Sequence, residues 1–497
     1  MKLTRYSLLA SVALTSLGAC TVGPDYQRQP AIVSDHFKET EGWKIGEPKE
    51  TDDKGPWWSL YRDPVLDELE AQVEVSNQNL KSLEAAYRSS LAVIRESRAS
   101  YFPIIGTNGS IQQSGSGRGG GSTRSSTSTS RGGSTTEYNL AGSLSWEIDL
   151  WGRISRTVEG NAANAQASAA DLANAKLSAQ SLLATNYFQL RAADEQKRIL
   201  DATVQAFARS LQITQNRYNV GTSARADVVQ AQAQLESTRA QAVAVGIQRA
   251  QFEHAIAVLT GKPPADLSIA LAPFTYDVVV EPPGVPSELL ERRPDIALAE
   301  RRMAAANAQI GVAKAAYYPS LTLSASYGFV STALDTLIRA SNAAWSIGPQ
   351  LAYTVFDGGL RSAQTDAARA NYDETVATYR QTVLTAFQQV EDQLAALRIL
   401  AQQAEVQARA VRASDEAEQL VLNQYQAGVV AYSSVLTAQT AALQNRQGAL
   451  SIAQNRLTAS VALIEALGGG WHAGDLPDQQ KLRSGDGEPP KKDEKPS

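Results

Sequence analysis

The sequence contains one long segment twice, and this duplication limits the folds that the chain can adopt. Tyr218–Gly221 and Tyr425–Gly428 lie 207 residues apart, and the residues that follow each of them also match. Tyr101–Pro103 and Tyr317–Pro319 form a second matching pair, 216 residues apart. A chain of 497 residues would ordinarily suggest several domains. The duplication instead predicts one body with two intertwined repeats, which we place at residues 63–270 and 271–470.

The N-terminus has the layout of an export signal. Lys2 and Arg5 precede an apolar stretch, Tyr6–Ala19, that is too short to span a bilayer. It ends in Leu-Gly-Ala-Cys, the lipobox pattern of bacterial lipoproteins, and Cys20 is the only cysteine of the chain. We predict a signal peptide at residues 1–19 and acyl chains on Cys20, with sorting to the outer membrane. The alternative is that Cys20 is a chance buried cysteine.

The rest of the chain shows neither a helical membrane span nor a basic surface. No run of about 18 apolar residues follows residue 20. The net charge is −5 and no basic patch is evident, so we expect no nucleic-acid partner. Residues 20–62 are polar and rich in turn signals, which predicts an extended lead-in that Trp57 and Trp58 pack onto the body. Residues 471–497 are polar and are predicted to be disordered.

Four segments alternate between apolar and polar residues, which is the period of a β-strand. They lie at about 104–112, 138–148, 321–329 and 345–355. Each is about ten residues long, the length of a tilted transmembrane strand. Small polar residues on one face and aromatic residues on the other favour lipid outside and water inside. The alternative is an ordinary soluble hairpin with one buried face.

Two very long helices follow the strands. Residues 155–218 contain no proline, and apolar residues from Leu200 to Tyr218 alternate in steps of four and three, a coiled-coil repeat. Such a helix would be a rod of about 95 Å. Gly221 and Gly428 are predicted to end the long helices, and shorter helices return from them to about Thr260 and Leu467. The fold class is therefore α+β, with long antiparallel coiled-coil helices.

Geometry then requires several copies of the chain. Four strands are too few for a barrel, because the smallest natural transmembrane barrels have eight. An open sheet in lipid would leave backbone groups unpaired at several kcal/mol each. Two, three or four copies would close eight, twelve or sixteen strands. The long helices cannot fit within a bilayer of about 30 Å and must extend into the periplasm.

The loop 114–134, made of Gly, Ser, Thr and Arg, is predicted to be mobile and extracellular.

The residues at 285–296 and 305–316 resemble a known family. Val285–Ile296, Ala305–Ala316 and the start Cys20–Tyr26 are similar to the outer-membrane efflux lipoproteins, the TolC-like channels of the NodT type. The resemblance implies a homotrimer with a twelve-stranded β-barrel shared between protomers and a periplasmic helical barrel. It also implies a periplasmic adaptor protein and an inner-membrane pump of the RND type, with the lipid of the outer membrane as a further partner.

The same resemblance assigns functions to the two helical turns. The turns would form the periplasmic tip, with adaptor contacts at Tyr218, Val220, Gly221, Gly428 and Val429. Asp227 and Tyr425 match a pair that holds the tip closed in TolC-like channels. The alternative for Asp227 is a carboxylate that stabilises the start of a helix through the helix dipole. Ser434 and Thr437 stand where many relatives carry an acidic ring.

No motif for catalysis, metal binding or a cofactor is evident. The three histidines lie in unrelated segments, and no P-loop or nucleophile elbow is present. We therefore expect a channel and not an enzyme, with energy supplied by its partners. A diffusion porin would need more strands per chain, and a purely structural coiled-coil lipoprotein would not need four alternating strands. An exit duct for type I protein secretion shares the fold and remains the alternative to drug efflux.

Overall fold

The computed structural model describes residues 21–34, 36–39, 56–115, 134–276, 278–279 and 289–485. Cys20, the signal peptide and most of the loop 114–134 lie outside these residues. The elements follow one order in each half of the chain: a helix, two strands flanking a loop, a long helix and a shorter return helix.

The first half begins with two helices, α1 (Pro64–Ser76) and α2 (Gln78–Ala99). Strands β1 (Ile104–Gly115) and β2 (Ser134–Ile148) follow. The long helix α3 (Arg153–Asn219) and the return helix α4 (Arg225–Leu259) complete the repeat.

The second half has the short helix α5 (Leu289–Arg292) and then α6 (Pro294–Ala315). Strands β3 (Ser320–Ser331) and β4 (Ala343–Ala352) precede α7 (Leu360–Gln426) and α8 (Tyr432–Ala466). A last helix, α9 (Gln479–Ser484), lies beyond the repeat. The chain therefore has the predicted α+β fold.

Three pairs of helices agree in length between the two halves. Both long helices, α3 and α7, have 67 residues, and both return helices, α4 and α8, have 35. Helices α2 and α6 have 22 residues each. At 1.5 Å per residue the long helices extend for about 100 Å. The duplication seen in the sequence is thus also present in the structure.

The four strands form one antiparallel sheet in the order β1-β2-β3-β4. Ile104 pairs with Ser145, Trp146 with Leu323, and Tyr327 with Trp345. Strands β1 and β4 are the edges, and each offers one side without a partner strand in this chain. Large apolar side chains stand exposed along the sheet, including Ile111, Trp345 and Leu351. Both features agree with the expectation from the sequence that several copies share one barrel.

The core lies where the helices of both repeats meet, between the sheet and the turns. One cluster joins α1, α3, α4 and α8 around Leu66, Tyr187, Phe188 and Ile256. A second cluster joins α6, α7 and α8. Trp57 belongs to the first cluster and is buried, which confirms that the lead-in packs onto the body through this residue.

Two expectations need correction. The sequence predicts one helix from about Val65 to Ser100 before the first strand, with proline at its first turn. The structure interrupts this helix at Asn77, whose extended backbone ends α1 and whose side chain accepts hydrogen bonds from Asn79 and Leu80 at the start of α2. The tail is not disordered over residues 471–485, because α9 packs there and Leu482 is buried against Ile94 and α3. Residues 486–497 lie outside the described part.

Asp63 connects the start of α1 to α3 and to the segment around Tyr276 by hydrogen bonds. Its carboxylate accepts hydrogen bonds from the backbone N–H groups of Val65 and Leu66, which caps the helix. It also accepts from the phenols of Tyr187, at 2.5 Å, and Tyr276, at 2.8 Å. Although burial opposes the change, these hydrogen bonds lower the pKa of Asp63. The link fastens α1 and the segment around Tyr276 to α3.

Glu70 is a buried acid without a partner. It is 0% exposed on α1, and neither of its carboxyl oxygens has a hydrogen-bond partner. Burial raises the pKa of Glu70 from its ordinary 4.5 to about 9. At neutral pH the folded chain therefore holds Glu70 as an uncharged acid.

We expect Glu70→Gln to stabilise the protein at neutral pH. The folded state keeps a proton that the unfolded chain loses above about pH 4.5, so the stability is highest below that pH and falls as the pH rises toward about 9. Because glutamine does not titrate, the variant should have a free energy of unfolding higher than that of the wild type by on the order of 2–4 kcal/mol at about pH 7.5. Unfolding followed by circular dichroism in guanidinium, between about pH 5 and 9, measures it. Glu68→Gln, an exposed site on the same helix, is the control. If the wild type, Glu70→Gln and Glu68→Gln showed the same dependence of stability on pH, the raised pKa of Glu70 would be contradicted.

Candidate functional site

The two helical turns have the same backbone structure. The N–H of Gly221 donates to the carbonyl of Tyr218, and the N–H of Thr222 donates to that of Arg217. In the second turn, the N–H of Gly428 donates to the carbonyl of Tyr425, and the N–H of Val429 donates to that of Gln424. Gly221 has φ 77° and Gly428 has φ 81°, both in the left-handed region. These are Schellman motifs, in which a glycine without a Cβ ends the helix at little cost.

A small core fills the space between the two hairpins, α3–α4 and α7–α8. Its buried members are Ala231, Tyr425, Tyr432 and Val435. The rings of Tyr425 and Tyr432 meet edge to face with centroids 5.8 Å apart. Burial, with the nearby Tyr425 and Asp227, raises the pKa of Tyr432 to about 12. The phenol of Tyr432 is therefore uncharged at neutral pH.

Polar contacts also join the two hairpins near their turns. The hydroxyl of Tyr425 donates to Oγ1 of Thr214 at 3.1 Å. The amide of Gln439 donates to Oγ of Ser210 at 3.1 Å. The guanidinium of Arg217 donates to the backbone carbonyl of Tyr425, and its carbon lies 4.6 Å from the centroid of the Tyr425 ring. The second turn is thus held against the end of α3.

The structure does not bring Asp227 and Tyr425 into a hydrogen bond within one chain. Asp227 accepts from Oγ of Ser223 at 2.8 Å and from the backbone N–H of Ala224 at 3.3 Å. It lies in the first turn of α4, where a carboxylate is favourable. The helix-start interpretation of Asp227 therefore describes its contacts within the chain, and Tyr425 bonds to Thr214 instead.

The residues predicted to contact the adaptor are mostly at the surface. Val220 is 74% exposed, Val429 is 72% and Tyr218 is 40%. A Cβ on Gly221 would meet no other atom within 4 Å. These side chains are therefore accessible for contact with another protein.

Sequence reasoning missed Arg217, Thr214 and Tyr432. A signal for Arg217 was present, because the repeat is broken there: the second copy has Gln424 at the matching position. Ser434 and Thr437 are both exposed on the first turns of α8 and carry no charge. In this chain, the two positions at which many relatives carry an acidic ring are thus exposed but uncharged.

None of the helices in the described ranges has a stretch with the length and hydropathy needed to cross a bilayer. Within those ranges, no group of three or more His, Cys, Asp or Glu side chains is placed to hold a metal ion.

Comparisons with known proteins agree on the class of protein. The family described as "Outer membrane efflux protein" matches residues 69–262 and again residues 285–469. The toluene efflux pump outer membrane protein TtgF of Pseudomonas putida is 32% identical over 489 residues, which cover 95% of this chain and 98% of TtgF. The double family match repeats the duplication seen in the sequence.

Solved structures give the same result. The outer-membrane channel OprN has a TM-score of 0.83 at 29% identity, covering 91% of this chain and 100% of OprN. The channel-forming protein CusC has a TM-score of 0.81 at 27% identity, covering 91% and 100%. The fold is thus that of an outer-membrane efflux channel. This chain belongs to the outer membrane efflux protein family, which confirms the resemblance to TolC-like channels of the NodT type.

The duplication offers a matched pair of substitutions at the tip. Tyr425 is 2% exposed and its counterpart Tyr218 is 40% exposed. We expect Tyr425→Ala to cost about 3–4 kcal/mol of local stability, because it leaves a cavity in the tip core. Tyr218→Ala should cost far less. Limited proteolysis of the purified protein, with cleavage sites mapped by mass spectrometry, should show faster cutting at the turns in Tyr425→Ala only. Equal cleavage in Tyr425→Ala and Tyr218→Ala would argue against a stabilising core between the two hairpins.

Proposed function

We propose that this chain is the trimeric outer-membrane exit channel of a tripartite efflux system. Three copies bring twelve strands into a closed barrel, and six long helices with six return helices continue it as a periplasmic tube. The observation that carries the proposal is the four-stranded sheet with two open edges, joined to helices of about 100 Å. A closed barrel gives the backbone groups of the edge strands β1 and β4 hydrogen-bond partners, and helices α3 and α7 are long enough to reach deep into the periplasm.

The tube would pass small toxic compounds received from an inner-membrane pump of the RND type and a periplasmic adaptor. This part of the proposal is supported by relatives named for toluene and cation efflux. The exposed side chains of Tyr218, Val220 and Val429 at the turns would contact the adaptor. The function needs no reaction at any residue of this chain, since the tube only provides a passage.

Restored efflux tests this proposal. In a host that lacks its own outer-membrane efflux proteins, the chain produced together with its pump and adaptor should restore resistance to small toxic compounds. Gly428→Val should lose this resistance while trimer in the outer membrane is unchanged, because a β-branched residue fits poorly at φ 81°. Gly246→Val is the control, since a Cβ there meets no atom within 4 Å and φ is ordinary. Export of a protein substrate with no change in resistance would favour type I secretion instead.

The start of the described chain supports lipid anchoring. The N–H of Val22 donates to the carbonyl of Trp151 at 3.0 Å, and Thr21 lies against Gly152. Gly152 stands between the end of β2 and the start of α3, where the sheet meets the helices. Thr21, the residue after Cys20 in the sequence, thus lies at this junction, which in the proposed barrel would stand at the level of the inner leaflet.

We expect Cys20→Ser to remove lipid from the protein but not the protein from the membrane. A closed barrel is held in the bilayer by its own apolar surface, so the acyl chains add to an existing anchor. A clickable palmitate analogue should label the wild type only, while trimer remains in outer-membrane fractions of both. Label retained on Cys20→Ser would rule out Cys20 as the acceptor.

A further inference from the structure

Two clefts lie side by side where helices of both repeats meet. The first has a volume of about 360 Å³ and is lined by α3, α7, the start of α6 and the end of α8. The second, of about 240 Å³, lies between α3, the lead-in at Trp57 and Trp58, and the loop after α8. Leu177 of α3 lines both, and we call the two clefts together the Leu177 groove. The first cleft alone reaches the size of sites for small ligands, about 300–1,000 Å³.

The first cleft offers side chains that can both donate and accept hydrogen bonds. Gln389 is exposed there, and Asn174 and Gln393 are partly exposed. Among the residues that the structure describes, the carboxamides of Asn174 and Gln393 have no hydrogen-bond partner. Gln389 uses only its oxygen, which accepts from Arg293 at 2.8 Å. A carboxamide donates and accepts as a hydroxyl group does, so the three together suit a ligand with several hydroxyl groups.

The charges beside the groove are nearly balanced. Arg293 makes an ion pair with Asp295 at 2.6 Å, and Lys176 makes one with Glu74 at 2.6 Å. Burial raises the pKa of Glu465, which favours the uncharged form of this acid. The groove thus offers a ligand little net charge, and an uncharged ligand fits it better than an ionic one.

The second cleft is rich in tryptophan. Trp58 and Trp471 line it and are partly exposed, and Trp57 packs edge to face against Trp58 with ring centroids 5.7 Å apart. Gly468–Gly470 add backbone without side chains to the lining. The face of an indole carries partial negative charge, so it attracts the C–H groups of a sugar ring, which carry partial positive charge. Indoles for the rings and carboxamides for the hydroxyl groups form a combination that suits carbohydrate.

The groove would lie in the periplasm, a placement that rests on the proposed function. Leu177 follows Arg153, the first residue of α3, by 24 residues, which is about 36 Å along the helix. In the proposed channel α3 leaves the membrane at Arg153, so the groove would stand well outside the lipid. Sugar chains of the cell wall occupy the same compartment.

We propose that the Leu177 groove is a binding site for an uncharged sugar chain. One sugar ring packs on the indoles of Trp58 and Trp471. The next ring exchanges hydrogen bonds with Asn174, Gln389 and Gln393. The site belongs to the wall of the protein, so binding by the purified protein does not depend on transport.

Isothermal titration calorimetry of the purified protein tests the site. The probe is chitotetraose, an uncharged chain of N-acetylglucosamine, in a detergent whose headgroup is not a sugar and so cannot compete. Chitotetraose should bind the wild type. Tetragalacturonate, which carries a carboxylate on each ring, should bind at least about tenfold more weakly, because Asp295 and Glu465 repel anions and Arg293 is already paired.

Two substitutions in the groove have matched controls outside it. Trp471→Ala should weaken binding of chitotetraose at least about tenfold, since it removes an aromatic face. Gln393→Leu should weaken it about three- to tenfold, the effect of one hydrogen bond. Tyr218→Ala, at the tip, and Gln402→Leu, an exposed site on the same helix as Gln393, should bind like the wild type.

Thermal unfolding should be equal in the wild type, the Gln393→Leu variant and the Gln402→Leu variant. Should Trp471→Ala fail to fold, this pair of glutamine variants carries the test. A wild type that does not bind chitotetraose, or equal binding by Gln393→Leu and Gln402→Leu, would overturn the site. Equal binding of tetragalacturonate would overturn the preference for an uncharged chain. None of these results changes the proposed channel, because restored resistance is measured separately.

Sedimentation with purified peptidoglycan sacculi identifies the source of the sugar chain. If the wild type sediments with the sacculi and Trp471→Ala does so less, the ligand is the glycan of the cell wall. A wild type that binds chitotetraose but stays in the supernatant would assign the site to free oligosaccharides.

Discussion

Unpaired backbone groups cannot remain in lipid, and most of this structure follows from that constraint. The edges β1 and β4 each leave a row of N–H and C=O groups without partners in the chain. In water such an edge would cost little, but in hydrocarbon each unpaired group costs several kcal/mol. In the trimer proposed above, β1 of one copy pairs with β4 of the next, and both edges gain partners. The oligomer would then be a condition for insertion, and the helices that continue the strands would follow the same ring.

The duplication gives the molecule its regularity, and departures from it mark where the repeats differ in task. The long helices, the return helices and the pair α2 and α6 agree in length, and both turns use the same glycine-ended motif. At the turns the side chains differ. Tyr425 is buried with Tyr432 and bonded to Thr214, while Tyr218 faces outward. The sequence match alone suggests equivalent roles, and packing between the hairpins assigns one tyrosine to the interior and one to the surface.

Periodicity and glycine placement predicted the elements well, since both are local properties of the chain. The strands, the long helices and the turns at Gly221 and Gly428 lie close to where the sequence placed them, although β4 ends at Ala352 and not at residue 355. The break at Asn77 was missed because an asparagine is compatible with a helix interior until its side chain caps the next helix. Helix α9 was missed because its burial depends on Ile94 and α3, far away in sequence. Arg217 was missed for the same reason, because its partner lies 208 residues away.

The equal lengths of the paired helices have a consequence for symmetry. Because α3 matches α7 and α4 matches α8, a trimer would end in six turns at one level, of two alternating kinds. The backbone would have sixfold symmetry to a first approximation, while the side chains would have only threefold symmetry. A ring of six identical adaptor subunits could then meet every turn through the shared backbone. Its subunits would meet two different surfaces in alternation, one with Tyr218 exposed and one with Tyr425 buried.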